Sequence, residues 1–145
     1  MKTITIDTII KSPVKNVWNA YTEPKHIVNW NLASNDWHCP KVENNLKVGG
    51  TYLARMEAKD GSFGFDFKAV YDEINPQQKL TYTLEDGRKV TTLFEPMDNT
   101  VKVTTTFEAE NQNPLDMQKA GWQAILNNFK SYTEINLKYY ENKNV

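Results

Sequence analysis

The sequence predicts an α+β fold in which a strongly curved antiparallel sheet of six to seven strands wraps around one long C-terminal helix, with two short helices after the first strand. Three observations carry this reading. Hydrophobicity alternates with a period of two from Tyr52 to Phe107, broken by hairpin signals. From Leu115 to about Tyr140 there is no proline, and the apolar residues fall on a 3.6-residue period. Between the first strand and the meander lie two short segments, each opened by a proline. The 145 residues contain no repeat, low-complexity stretch or linker, so residues 1–145 are read as a single domain.

The elements follow in order. Ile4, Ile6 and Ile10 share one parity of a first strand, against Thr3, Thr5, Asp7 and Ile9. Ser12-Pro13 reads as an N-cap followed by proline at the first helical position. Val14, Val17, Trp18 and Tyr21 then give that short helix an apolar face. Thr22-Glu23-Pro24 stops it and starts a second, in which His26, Ile27 and Trp30 share a face. A helix that short must be held by packing. A polar stretch leads to a short edge-like strand near Trp37 to Glu43 and a tight turn at Gly49-Gly50.

In the meander, Tyr52, Ala54, Met56 and Ala58 form one face of a strand, and Phe63, Phe65, Phe67, Ala69 and Tyr71 one face of the next. Asp60-Gly61 and Asp86-Gly87 are hairpin signals, and "NPQQ" and "EPMDN" read as turns. Leu80, Tyr82 and Leu84, then Val90, Thr92 and Phe94, then Val101, Val103, Thr105 and Phe107 continue the inward set. The final helix places Leu115, Trp122, Ile125, Leu126, Phe129, Tyr132 and Tyr140 on its apolar stripe. It has no partner helix of similar length, so that stripe belongs on the concave face of the sheet.

Composition excludes several functions. The net charge is -1, so no basic field is available to hold a phosphate backbone, and nucleic acid is not expected as a partner. The single cysteine, Cys39, excludes an internal disulfide and a multi-cysteine metal site. "MKTITIDTII" is a strand pattern rather than a signal peptide, and no apolar run approaches the ~20 residues of a membrane span. A cytoplasmic protein without membrane insertion is expected.

Little in the sequence resembles reaction chemistry. His38 and Cys39 are adjacent, with Asp36 close by; neighbours in sequence do not readily converge on one ion or form a nucleophile–base pair. Asp72-Glu73 and Glu85-Asp86 end a strand and sit at a turn, which are solvated places. Asp66 lies between Phe65 and Phe67, but its parity puts it on the outer face in a cross-strand pair. Gly49-Gly50 and "DGSFG" open no helix and make no phosphate cradle. The "EAENQNP" loop before the last helix is a possible pocket rim. No catalytic residue, metal ligand or cofactor is assigned.

What stands out is the aromatic content of the inward set: Tyr52, Phe65, Phe67, Tyr71, Tyr82, Phe94, Trp122 and Phe129. One helix cannot fill the open end of a curved sheet. Side chains must fill the remainder or leave an apolar cavity with a few polar tips, namely tyrosine hydroxyls, Thr92 and Thr105. The short helices with Trp18 and Trp30 are expected to form one wall of that space. Aromatic stripes of this kind also serve as plain core.

The motifs "SPVKNVWNAYTEPKHIVNW", "VGGTY", "YDEINPQQKLTYT", "VTTLFEP" and "AGWQAILNNF", in that order, resemble those of the SRPBCC (START-like, helix-grip) superfamily. Within it the chain is most similar to homologues of the activator of the ninety-kilodalton heat-shock protein's ATPase. The resemblance implies a deep hydrophobic cavity between the sheet and the C-terminal helix. The candidate ligand-binding residues are then Trp30, Trp37, Tyr52, Met56, Phe65 and Phe67, with Tyr71, Tyr82, Phe94, Trp122, Ile125 and Phe129. The expected function is binding of a small hydrophobic or amphipathic molecule, without an assigned reaction. Two alternatives stand beside it. One is an enzyme of hydrolase or cyclase type on the same scaffold. The other is a co-chaperone-like or self-associating interaction module; the family's co-chaperone function belongs to longer proteins with a second, N-terminal domain, whereas this sequence opens on its first strand.

Overall fold

The computed structural model describes residues 2–137. Seven strands form one antiparallel sheet: β1 (Thr3–Ile10), β2 (Trp37–Asn44), β3 (Thr51–Ala58), β4 (Gly64–Asn75), β5 (Lys79–Leu84), β6 (Lys89–Met97) and β7 (Thr100–Glu108). Their spatial order is β1-β7-β6-β5-β4-β3-β2. Strands β2 to β7 are a meander. The chain leaves β1 at one edge and must reach β2 at the other, and α1 (Val14–Thr22) and α2 (Pro24–Trp30) carry it across. The last element, α3 (Leu115–Tyr132), lies on the concave face.

The period-two pattern sets the inner face, with its phase shifted by irregularities between His38 and Lys41 in β2 and between Tyr71 and Glu73 in β4. Tyr52, Ala54 and Met56 are buried on β3, Val90, Thr92 and Phe94 on β6, and Val101, Val103, Thr105 and Phe107 on β7. The outer face is polar and cross-linked. Asp66 pairs with Arg55 across β3 and β4 at 3.3 Å, as its parity predicts. Gly61 and Gly87 take positive φ in their hairpins. At the β2–β3 connection Gly49 has φ +83°, and a Cβ on Gly50 would collide with the Asn45 carbonyl.

Three local readings need correction. Ser12 does not cap α1; its buried hydroxyl has no partner among the described residues, and Pro13 occupies the cap position. "EPMDN" is mostly strand, because β6 continues through Met97 and the turn is tightened to Asp98-Asn99, with Asp98 at φ 54°. Pro96 is tolerated there because the β5 ladder stops at Leu93, leaving β6 a paired neighbour on one side only. The regular helix stops at Tyr132 and widens into a π-helical turn, Thr133–Leu137, where the buried Thr133 hydroxyl donates to the Phe129 carbonyl at 2.7 Å. Tyr140 lies outside the described residues.

Two contacts seat α3. Trp122 stacks on Phe107 with ring centres 4.0 Å apart and planes 10° from parallel. Phe129 is fully enclosed between Tyr21 and Trp30, at 5.2 and 5.0 Å. Gln118 holds the preceding loop: it accepts from the Glu110 amide and donates to the Asn113 carbonyl. Truncation of Phe129 to Ala is expected to destabilise the fold by about 3–5 kcal/mol, read as a lowered urea midpoint at unchanged slope.

Candidate functional site

The sheet is broader than α3, and the aromatic side chains between them do not close the gap. A cavity of about 190 Å³ remains. Five of the seven strands contribute to its walls: Ile6 and Thr105 from the paired β1 and β7, Tyr52 and Met56 from β3, Phe65, Phe67 and Tyr71 from β4, and Tyr82 from β5. Trp122, Ile125 and Leu126 of α3 roof it, and Tyr21, Trp30 and Asn31 of the short helices close one side. Phe65 is the one strongly exposed liner, at 43%, and marks the mouth. Outside it Trp37 and Phe63 extend the aromatic rim, with ring centres 6.0 and 6.3 Å from Phe65.

The lining has no charged side chain among the described residues. Its polar side-chain groups are four tyrosine hydroxyls, one threonine hydroxyl, the Asn31 amide and the indole N–H groups of Trp30 and Trp122, that of Trp30 donating to the Ala20 carbonyl. The Tyr21 hydroxyl bonds Thr92 at 3.3 Å, and Thr92 bonds Thr105 at 3.1 Å. The Tyr71 hydroxyl donates to Asn44 Oδ1 at 2.8 Å, and Asn44 in turn donates to the Thr22 carbonyl. Asn31 makes a long contact from its amide to Cys39 Sγ, 3.8 Å. Burial pushes the Tyr21 and Tyr71 hydroxyls above the ordinary phenol value and those of Tyr52 and Tyr82 well above it. For Tyr52 and Tyr82, repulsion by the neighbouring tyrosines adds to that. All four are neutral at physiological pH.

Nine of the twelve residues expected at the site line this cavity. Trp37, Phe94 and Phe129 do not. Trp37 stands outside the mouth on the rim, because β2 is the edge strand. Phe94 and Phe129 point inward but are spent on packing with Trp18, Tyr21 and Trp30. Trp18 is likewise core rather than wall. None of the residues of the "EAENQNP" loop lines the cavity. Five liners were missed: Ile6, Tyr21, Asn31 and Leu126, and Thr105, anticipated only as a polar tip. Tyr21 sat on the apolar face of α1 and could have been found there.

His26 is a separate buried polar centre, behind α2. Its Nδ1 shares a 2.7 Å hydrogen bond with the Tyr132 hydroxyl, and its Nε2 lies 3.9 Å from Glu23. Burial lowers its pKa below the usual 6.5, against the opposing pull of Glu23. Among the described residues, no three His, Cys, Asp or Glu side chains cluster to hold a metal ion, and no helix is long and apolar enough to cross a membrane.

A family model described as Activator of Hsp90 ATPase homolog 1-like protein matches residues 11–134. A solution structure of an AHSA1-like protein from Aeromonas hydrophila shares 39% identity over 92% of each chain, with a TM-score of 0.87. A solution structure from Cytophaga hutchinsonii shares 45% identity over 94% of each chain, with a TM-score of 0.81. A Chromobacterium violaceum crystal structure matches in fold at 22% identity, over 94% of this chain and 100% of its own, with a TM-score of 0.83. No curated protein matches the chain.

The His26 environment sets a pH dependence. The folded ring resists the proton that the unfolded ring accepts near 6.5. Its contribution to stability is therefore intact above about pH 6.5 and is lost as pH falls toward the lower folded pKa. An NMR titration of the His26 ring is expected to give a midpoint below 6.5; a midpoint at or above that value contradicts this account.

Proposed function

This chain belongs to the Activator of Hsp90 ATPase homolog 1-like family, and we propose that it binds a small hydrophobic or amphipathic molecule in the cavity between the sheet and α3. The observation that carries the reading is the 190 Å³ space itself, walled by stiff aromatic rings and reached past the exposed Phe65. Its size also bounds the occupant. An apolar cavity of about 150 Å³ takes up one benzene ring. A compact molecule of about one ring fits here, and a long acyl chain does not.

The lining favours binding over reaction. Acid–base chemistry needs a group whose pKa lies near the working pH. Here the ionisable liners are tyrosines, and burial moves them further from neutrality. An interaction module would need a continuous apolar patch. On the outer face Leu53 stands opposite Lys68, Val70 between Thr51 and Thr83, and Leu93 between Lys79 and Thr104, so these three are interrupted by polar neighbours.

Native mass spectrometry of the protein purified from its own host, followed by organic extraction, is expected to release a molecule of one-ring size. Independently, benzene, toluene and indole at millimolar concentration should shift amide resonances around Tyr52, Trp122 and Ile125. Ile125→Trp, which fills the cavity from α3, should abolish those shifts while the protein stays folded. No native ligand together with no response to any of the three probes sinks the proposal.

A further inference from the structure

From the hydroxyls of Tyr52 and Tyr82 we infer that the cavity is built for a neutral ligand that carries a hydrogen-bond acceptor, such as a ketone, ester or amide carbonyl, on a compact apolar body. This rests on the cavity-binding reading above and narrows its ligand class.

The four lining tyrosines divide into two pairs. Tyr21 and Tyr71 have their hydroxyls engaged, by Thr92 and by Asn44. Tyr52 and Tyr82 are each only 8% exposed, line the cavity, and have hydroxyls with no hydrogen-bond partner among the described residues. They are not sealed in apolar packing either. Among the described residues, Ser12 Oγ is the fully enclosed side-chain oxygen without a partner, and the two phenols are not in that condition. Their hydroxyls therefore reach open space, and for side chains this deeply buried that space is the cavity.

The sheet holds the two together. Tyr52 on β3 and Tyr82 on β5 are separated by β4, where Tyr52 faces Ala69 and Tyr82 faces Tyr71. The small Ala69 side chain lets rings two strands apart meet. They lie 5.9 Å apart and 7° from parallel, and Phe67 braces both edge-on at 6.1 and 6.2 Å. Such a pair has few rotamers open to it, so the hydroxyls are placed before anything binds.

The chemistry of the pair selects the ligand. An unmet O–H donor costs more than an unused oxygen lone pair, so the demand of the site is for an acceptor. A carbonyl oxygen has two lone pairs and can accept from both. Burial keeps both phenols protonated, so the donors are present across the physiological range. An ionised carboxylate would also accept, but with no cation in the lining its charge would be buried without compensation.

The test uses acetophenone, its near-isostere α-methylstyrene, in which a methylene replaces the carbonyl oxygen, and benzoate at pH 7.5. Each is titrated into the full chain, with amide chemical shifts as readout. Acetophenone is expected to bind about tenfold more tightly than α-methylstyrene. Tyr52→Phe and Tyr82→Phe, which keep the ring stack, should each shrink that ratio, and the double variant should bring it near one without weakening α-methylstyrene. Equal binding of the two by the unaltered protein overturns the acceptor inference and leaves the cavity reading standing. Tighter binding of benzoate than of acetophenone overturns the assignment of a neutral ligand. Failure of all three to bind at millimolar concentration overturns both readings.

Discussion

Four elements meet on one ring. Tyr21 stacks on Trp30 of α2 at 5.5 Å, and meets Phe94 of β6 and Phe129 of α3 edge-on at 5.5 and 5.2 Å. The chain's route from one sheet edge to the other passes through α1 and α2, of nine and seven residues, neither long enough to be stable alone. Their positions therefore depend on what they pack against. Tyr21 supplies it, and the Trp30 indole nitrogen locks the corner by donating to the Ala20 carbonyl at 2.9 Å. The same ring turns its hydroxyl to Thr92, and through it to Thr105, so the core contact also positions a polar cavity wall. Core and site are here the same side chain.

That coupling explains which parts of the molecule the sequence disclosed. Period two reveals which face of a strand a residue is on, and the inward sets of β3 and of β5 to β7 agree with it, whereas in the set expected for β4 Phe63 falls before the strand and is 62% exposed and Phe65 is 43% exposed. Period two says nothing of depth along the strand or of what stands opposite. Phe94, Phe67 and Phe65 are all inward, yet Phe94 is consumed by the Tyr21 junction, Phe67 lines the cavity, and Phe65 overhangs its mouth. The difference lies in where α1 and α3 pack, a tertiary fact. Asn31 was invisible for another reason. It follows the last turn of α2 and reaches the cavity because its neighbour Trp30 is pinned. The failed cap at Ser12 has a similar origin. The sequence signal was local, while the hydroxyl's surroundings are set by packing.

A cavity must also survive the tendency of cores to collapse. The side chains around the space forgo the contacts that a filled core would give them. Flexible aliphatic liners could relax into such a space. Rings held edge-on and face-on by other rings cannot do so without breaking several contacts at once. Phe67 touches Tyr52, Tyr82 and Trp122, and Trp122 is itself stacked on Phe107. The aromatic content that first looked like plain core thus acts as scaffolding that keeps the space open.

Small residues complete the design, because rigid rings need gaps in which to lie. Ala54 and Ala69 are fully buried on the inner face, and Ala69 stands across the ladder from Tyr52. A larger side chain at Ala69 would part Tyr52 from Tyr82 and fill the floor beneath them. Polarity is rationed in the same way. Among the described residues the charged pairs on the sheet lie on the outside, as in Arg55 with Asp66 and Glu57, while the cavity is lined by neutral groups alone: hydroxyls, two indole N–H groups and one amide. In a medium of low polarity a neutral hydroxyl can be left waiting for a partner at modest cost, where a charge could not.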